Sequence, residues 1–283
     1  MLEQVVAKGI VVGGIYSLAA IGLSLILGVM QIVNLAHGEL MMLAMYITFF
    51  LFSFFGMPPF LSIIFSAPIL FLLGAFLYKI AISKLKSEEE QIIFMIGLVI
   101  FLENLVTLIC SSNYRSLTYR SEVIKFFNIR FTKMELEAFV FSVIVFIILF
   151  FALRNTSWGR AIRACSQNPE LSELVGINVE RIKMYSFAIG ASLAAAAGSL
   201  VAPIYYISPT VGFHYTLIGI VIVALAGAGN ILGALFGGFL LGVIEALTSY
   251  YLGAQLKDLS VFLMFILILL LKPRGLFGGM END

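Results

Sequence analysis

The sequence predicts an all-α, polytopic transmembrane helical bundle of about eight or nine spans, with a short cytoplasmic helix set between two of them. Three observations carry that prediction. Hydrophobic residues make up 61% of the 283-residue chain and charged residues only 12%, against about 25% in ordinary soluble domains. The mean hydropathy is +1.07. Apolar runs of the length a bilayer requires, about 20 residues, recur along nearly the whole chain. An aqueous surface cannot be covered with so few charges, so lipid is the solvent. Residues 1–283 read as a single transmembrane domain.

The first run, 9–30, follows MLEQVVAKG, in which Glu3 balances Lys8. It lacks the basic n-region and the A-x-A-like site of a cleaved signal, and its apolar stretch is too long for one. It is therefore expected to stay as a span. Further spans are predicted at 38–55, 60–82, 92–111, 136–153, 185–206, 216–232, 234–252 and 258–271. Two stretches admit a second reading. Residues 38–55 are few enough to be partly re-entrant, and the glycine-rich 216–252 reads as two spans or as one broken pair. Broken helices survive in lipid only where protein or a wet cavity satisfies the freed backbone groups.

Three polar stretches separate these runs. KLKSEEEQ at 84–91 is a solvated turn that includes Glu88 to Glu90. Residues 112–135 carry Arg115, Arg120, Lys125, Arg130 and Lys133, and 154–183 carry Arg154, Arg160, Arg163, Arg181 and Lys183. Only one span lies between the two long stretches, so the positive-inside rule cannot place both in the cytoplasm. The turn at 84–91 and KPRG at 272–275 decide in favour of the loop 154–184. With nine crossings the N-terminus is then outside and the C-terminus inside. Gly190, Ala194, Gly198 and Ala202 recur every four residues, as do Gly229, Gly233 and Gly237. Such stripes let helix backbones approach closely in lipid. No internal repeat is evident.

Several function classes lack their parts. A net charge of +1 with no basic stripe gives no reason for a nucleic-acid partner. There is no G-x-x-x-x-G-K-[ST], so the chain does not bind ATP in the P-loop manner. Gly227, Gly229 and Gly233 are spaced one residue too long for a dinucleotide fingerprint. His37 and His214 are the only histidines, too few and too far apart to argue for a metal. Cys110 and Cys165 have neither redox nor metal spacing. No nucleophile with base, and no carboxylate pair, suggests an enzyme or a cofactor.

Two segments ask for a role. VNLAHGE at 33–39 places Asn34, His37 and Glu39 between strongly apolar runs. In one reading Asn34 caps a helix starting near Ala36 or His37, His37 reaches back towards the cap, and Glu39 lies in the positively polarised first turn. In the other, these residues face an internal path, because ionisable groups near lipid sit on interior or wet surfaces. Glu103, Asn104 and Glu245, inside predicted spans, are likewise expected to face the bundle or the path. The second segment is GRAIRACSQNPELSELVGINVERIK, 159–183. Asn168, Pro169 and Glu170 form a helix start, Leu171, Leu174 and Val175 an apolar patch, and Gly176 a stop. Arg160, Arg163 and Gln167 share one face of the turn before it. An amphipathic helix of this kind suits docking on a cytoplasmic partner.

These residues resemble the branched-chain amino acid ABC transporter permease family. The 159–183 segment is similar to its coupling loop and VNLAHGE to its N-terminal signature. GIVIVALAGAGNILGALFGGFLLG (219–242) and KPRGLFG (272–278) also fit, and within the family the form NLAHGE resembles the LivH-type subunit. The resemblance implies an ABC importer permease in a prokaryotic inner membrane. It implies two cytoplasmic ATPase subunits holding ATP and Mg, a second, different permease subunit, and an external substrate-binding protein. Gly159, Arg160, Arg163, Asn168, Pro169, Glu170 and Gly176 would shape the ATPase contact. Asn34, His37, Glu39, Glu103, Asn104 and Glu245 remain candidates for the path. Rival readings are a permease for urea or short amides, an ion-coupled secondary transporter using Glu103 or Glu245, and a channel.

Overall fold

A computed structural model describes residues 2–85, 87–119, 122–126, 129–272 and 275–276. The helices among them are α1 (Leu2–Met30), α2 (His37–Phe55), α3 (Pro59–Ile80), α4 (Glu88–Cys110), α5 (Lys133–Asn155), α6 (Ser157–Gln167), α7 (Pro169–Leu174), α8 (Val179–Val201), α9 (Val211–Ala226), α10 (Ile231–Tyr251) and α11 (Lys257–Leu271). Eight segments are long and apolar enough to cross a membrane: α1, α2, Pro59–Lys84 containing α3, α4, α5, α8, α10, and the 18-residue Ala254–Leu271 containing α11. At 16 residues α9 is shorter. The region expected to be a span at 216–232 is therefore the end of α9 and the turn after it. The loop 112–135, read as polar only, folds in part into a hairpin of β1 (Val123–Phe126) and β2 (Ile129–Thr132), with Val123 opposite Thr132. Arg120 in that loop, and Pro273, Arg274, Phe277 and Gly278 of KPRGLFG, lie outside the described residues.

Burial sorts the helices into an inner and an outer set. α1 and α8 are covered on most sides, whereas α3, α4, α5 and α11 expose most of theirs. The inner pair can be covered because small residues let its neighbours close in. α1 runs antiparallel to α10, with Gly9 against Gly242 and Val243 and Gly13 against Gly238. α8 runs antiparallel to α3, with Ser66 and Ser199 hydroxyls 2.7 Å apart and Tyr78 facing Phe187. α1 and α8 meet at Gly22 and Gly190, where a Cβ on either would lie 2.9 Å from the other's carbonyl oxygen.

The packing is reciprocal. α2 packs on α3 and α8, while α9 packs on α10 and α1. The triple α1–α2–α3 and the triple α8–α9–α10 thus repeat one scheme with the chain direction reversed, the inverted repeat common among transporters.

Direction follows from the same contacts. The end of α1, the end of α5, α6 and the α9–α10 turn gather at one face, where Gly28 meets Gly229. Leu276 bonds back to Leu225 at that face. The start of α1 lies at the other, where Gln4 bonds the hairpin at Arg130 and Lys8 pairs with Glu135 at 3.5 Å. The N-terminus and the loop 154–184 are therefore on opposite faces, and the C-terminal segment shares the face of that loop.

The alanine–glycine stripe on α8 is buried along its length, and at Gly198 a Cβ would run into the Met41 backbone. Gly229 departs from its expected stripe. It sits in the α9–α10 turn at φ +74°, while Gly233 and Gly237 pack on α9 at Ala226 and Ile222. Gly198→Leu is expected to separate α8 from α2 and cost several kcal/mol, roughly 3 or more for a side chain forced against backbone. Loss of folded chain from detergent extracts checks this; a stable, fully active variant would refute it.

Candidate functional site

The NLAHGE segment is the point where two helices begin inside the bundle. α1 continues to Met30, the chain turns at Gln31 with φ +59°, and residues 31–36 climb back along α1. Asn34 holds the turn: its Oδ1 accepts from Ala36 N at 3.1 Å, and its carbonyl accepts from His37 N at 3.2 Å. α2 then starts at His37, whose Nε2 lies 3.0 Å from the carbonyl of Ala19 in α1. A carbonyl only accepts, so Nε2 carries the proton in this tautomer. From there α2 runs to the face where α1 starts.

α9 also begins inside the bundle and runs the other way. Its turn repeats that of α2, with Val211 N donating to the Ser208 carbonyl at 3.3 Å. The two N-termini touch. Gly38 N donates to Thr216 Oγ1 at 2.9 Å, and that hydroxyl lies 3.1 Å from the carbonyl of Leu35. One threonine thereby satisfies an orphan donor of α2 and a carbonyl of the segment that precedes it. Gly38 lies against the Gly212 carbonyl, and the Glu39 carboxyl lies against the Gly212 Cα, in the first turn of α9.

Asn34, His37 and Glu39 are all within 1% of complete burial. Asn34 Nδ2, His37 Nδ1 and both Glu39 oxygens have no hydrogen-bond partner. A buried polar group without a partner costs about 1–3 kcal/mol, more if charged, so four in six residues mark a place built for something other than stability. Two helix N-termini supply positive partial charge there, and Glu39 supplies a carboxyl at the same junction.

The loop 154–184 is more structured than its sequence pattern suggests. The arginine segment is itself a helix, α6, capped by Thr156 Oγ1 accepting from Gly159 N at 3.1 Å. Arg163 Nη1 donates to the Leu153 carbonyl, tying α6 to the end of α5. A Cβ at Gly159 would strike the backbone of Leu153. Asn168 Oδ1 caps α7 by accepting from Leu171 N at 3.0 Å, behind Pro169 and Glu170. Gly176, at φ +86°, ends it in a conformation that a side chain disfavours. Leu171, Leu174 and Val175 are 60%, 82% and 75% exposed. Cys165 is fully covered, and burial pushes its thiol up, which suits packing and not reactivity.

Residues 5–271 match the family model described as branched-chain amino acid transport system / permease component. The chain belongs to that family. It is 32% identical over 297 residues to the high-affinity branched-chain amino acid transport system permease protein LivH of Salmonella typhimurium, covering 99% of this chain and 96% of that one. It is 33% identical over 300 residues to the corresponding BraD protein of Pseudomonas aeruginosa, covering 100% and 97%. A shorter stretch, 38% of this chain, is 36% identical to the ribose import permease protein RbsC of Haemophilus influenzae. No solved structure matches. The chain is thus a multi-pass membrane permease of an ABC transport system, a subunit that is not an enzyme and carries no cofactor.

In this permease the expected site residues divide. Asn34, His37 and Glu39 share the α2–α9 junction, but the cap reading needs correction. Ala36 precedes α2 without a side-chain cap, because the Asn34 carboxamide is committed to a turn two residues on. Thr216, from another helix, takes the donor instead, and His37 points to α1 and not to the cap. Glu103 is half-buried on α4, which packs on α2. Asn104 was expected to face the bundle or the path. It is exposed on the outer face of α4 and bonds its own helix at Ile100 O, 2.7 Å away. Glu245 lies apart, paired with Lys257 of α11 at 3.1 Å, and Lys257 lies over the Tyr205 ring at 5.5 Å. Glu88 to Glu90, read as a turn, are the exposed first turn of α4, with Ser87 and Glu90 in a capping box. Thr216, Gly38 and Gly212 were missed. For the two glycines the parallel positions in NLAHG at 34–38 and SPTVG at 208–212 were the available signal; Thr216 had none.

Proposed function

We propose that this permease carries branched-chain amino acids inward across a prokaryotic inner membrane. It does so beside a second, different permease subunit, receiving solute from an external binding protein and power from two cytoplasmic ATPases. The single observation that carries the path is the junction of α2 and α9. Half-helix N-termini at mid-depth suit a carboxylate, and Glu39, unpartnered at that junction, suits an α-ammonium. A zwitterion carries both groups. The aliphatic side chain needs only apolar wall, which α1 and α8 supply.

Coupling follows from α6 and α7. Three exposed apolar side chains beside Arg160, Arg163 and Glu170 form a patch suited to a groove on a partner. The Leu153 carbonyl holds Arg163 to α5, so a push on α6 reaches a membrane helix directly. ATP-dependent uptake of labelled leucine by the reconstituted complex tests the assignment, with isoleucine and valine competing and urea not. Uptake that follows an imposed ion gradient without ATP would overturn it.

Glu170→Lys is the cleaner test of the coupling patch. Glu170 is exposed, and its loss from the first turn of α7 costs only about 0.3–1 kcal/mol of helix stability. The variant is expected to insert normally and to recover several-fold less ATPase in a mild-detergent pull-down. Undiminished ATPase recovery and uptake would sink the docking role.

A further inference from the structure

We infer that a cavity at the face of the loop 154–184 is a binding site for the phosphate headgroup of an anionic phospholipid. It measures about 740 Å³ and lies between the end of α1, the end of α5, α6 and the α9–α10 turn. Leu25, Phe150, Ile231 and Leu232 make part of its wall apolar, and Arg154 and Arg163 bring two positive charges. This is the level where helices end, and therefore where headgroups lie.

Three observations point to an anion. First, among the described residues neither arginine has a carboxylate partner, the ion pairs there being Lys8–Glu135 and Lys257–Glu245. Arg163 spends one donor on the Leu153 carbonyl and keeps four of the five a guanidinium offers. Second, Ser24 is fully buried in the cavity wall and its hydroxyl has no hydrogen-bond partner. Ser17 and Ser142, by contrast, satisfy their hydroxyls on the carbonyl four residues back, Gly13 O and Ala138 O, at 2.7 and 2.8 Å. Third, the N-terminal end of α10, capped by Asn230 accepting from Gly233 N at 2.8 Å, borders the same space and adds its positive partial charge.

The apolar wall distinguishes a lipid from a free anion, because an acyl chain fills it and inorganic phosphate does not. The cavity is also separate from the α2–α9 junction. Gly22 faces His37, and Ser24, two residues further, lies about 200° around α1. Since Arg163 belongs to α6, an occupied site would brace the α5–α6 corner through which the loop acts on the membrane helices. Basic pockets between helices at this level recognise lipid headgroups elsewhere.

The test uses the complex purified from its own membranes and placed in nanodiscs of phosphatidylcholine, with or without phosphatidylglycerol. Native mass spectrometry should find phosphatidylglycerol retained, and ATP hydrolysis should rise when it is present. Arg154→Gln should weaken retention about fivefold, Arg154→Lys should largely restore it, and Ser24→Leu should block it by filling the cavity. Equal melting of Arg154→Gln and the parent in phosphatidylcholine alone establishes that the fold is intact. Equal retention by Arg154→Gln would overturn the site. Stimulation by inorganic phosphate alone would overturn the lipid in favour of a free anion. Release of the lipid by bound ATPase would overturn it in favour of a protein interface.

Discussion

Gly38→Val is expected to abolish transport and to leave little folded permease. The Cβ alone would collide with the Gly212 carbonyl and lie 2.5 Å from Thr216 Oγ1 and 2.7 Å from Thr216 N. Two of those three atoms are backbone of α9, held by its own hydrogen bonds, so the junction cannot give by rotating a side chain. Separating the helices also breaks the bond from Gly38 N to Thr216 and leaves the Leu35 carbonyl unsatisfied. Overpacking costs about 1–3 kcal/mol and a lost cap about 1 kcal/mol. An unpaired buried carbonyl adds about 1–3 kcal/mol, and the sum is comparable to the whole stability of an ordinary domain. Gly97→Val is the control. It lies on the exposed side of α4, where nothing stands within 4 Å of a Cβ, and it should melt and transport like the parent. Yield from membranes, melting temperature and ATP-driven leucine uptake decide the matter together. Parental uptake by Gly38→Val would show that the two helix starts do not need to touch.

That junction also marks the limit of what the chain discloses. The apolar runs, the cap at Asn168 and the stop at Gly176 are local facts, set by solvent and by a few neighbouring residues, and the sequence expressed them plainly. The short reach of 38–55 and the glycines near 229 hinted at irregular helices: α2 and α9 both begin inside the bundle, though only α9 is too short to be counted as a span. The partner of each break was not legible. Thr216 is 178 residues from Gly38 in the chain, and a lone threonine in an apolar run has no local signature of a cap for a distant helix. Asn34 misled for a related reason. Asparagine before a helix is an N-cap on average, but a re-entrant segment must turn inside the bundle, and the side chain satisfied that turn first. The inverted repeat escaped notice because it is preserved in packing, not in residue identity: Gly22 and Gly190 match across it, while little around them does. Asn104 shows the opposite failure. Its polarity suggested an inward side chain, yet four residues of helix back to Ile100 are enough to satisfy its amide facing outward.

Glu39→Gln is expected to raise the melting temperature of the permease while lowering uptake by an order of magnitude or more. Both effects come from one cause. The side chain is completely buried and neither oxygen has a hydrogen-bond partner. A lone carboxyl in such a place is a net cost to folding. Its neighbour, the first turn of α9, returns only part of that cost. Glutamine keeps the shape and removes the charge, so the fold gains. Transport loses the one acidic group at the junction that can hold an α-ammonium while the helix starts hold the carboxylate. Uptake per folded molecule must therefore be measured beside the melt, in the complete complex, with ATP hydrolysis recorded separately. If hydrolysis persists while uptake falls, the defect lies in holding the solute and not in coupling, which is where the geometry of α2 and α9 puts it. Equal uptake with a higher melting temperature would instead make Glu39 a purely structural companion to the α9 N-terminus, and the solute would have to find its ammonium partner elsewhere. The pair Glu245–Lys257 would be the next to examine, since Glu245 Oε2 is also buried without a partner.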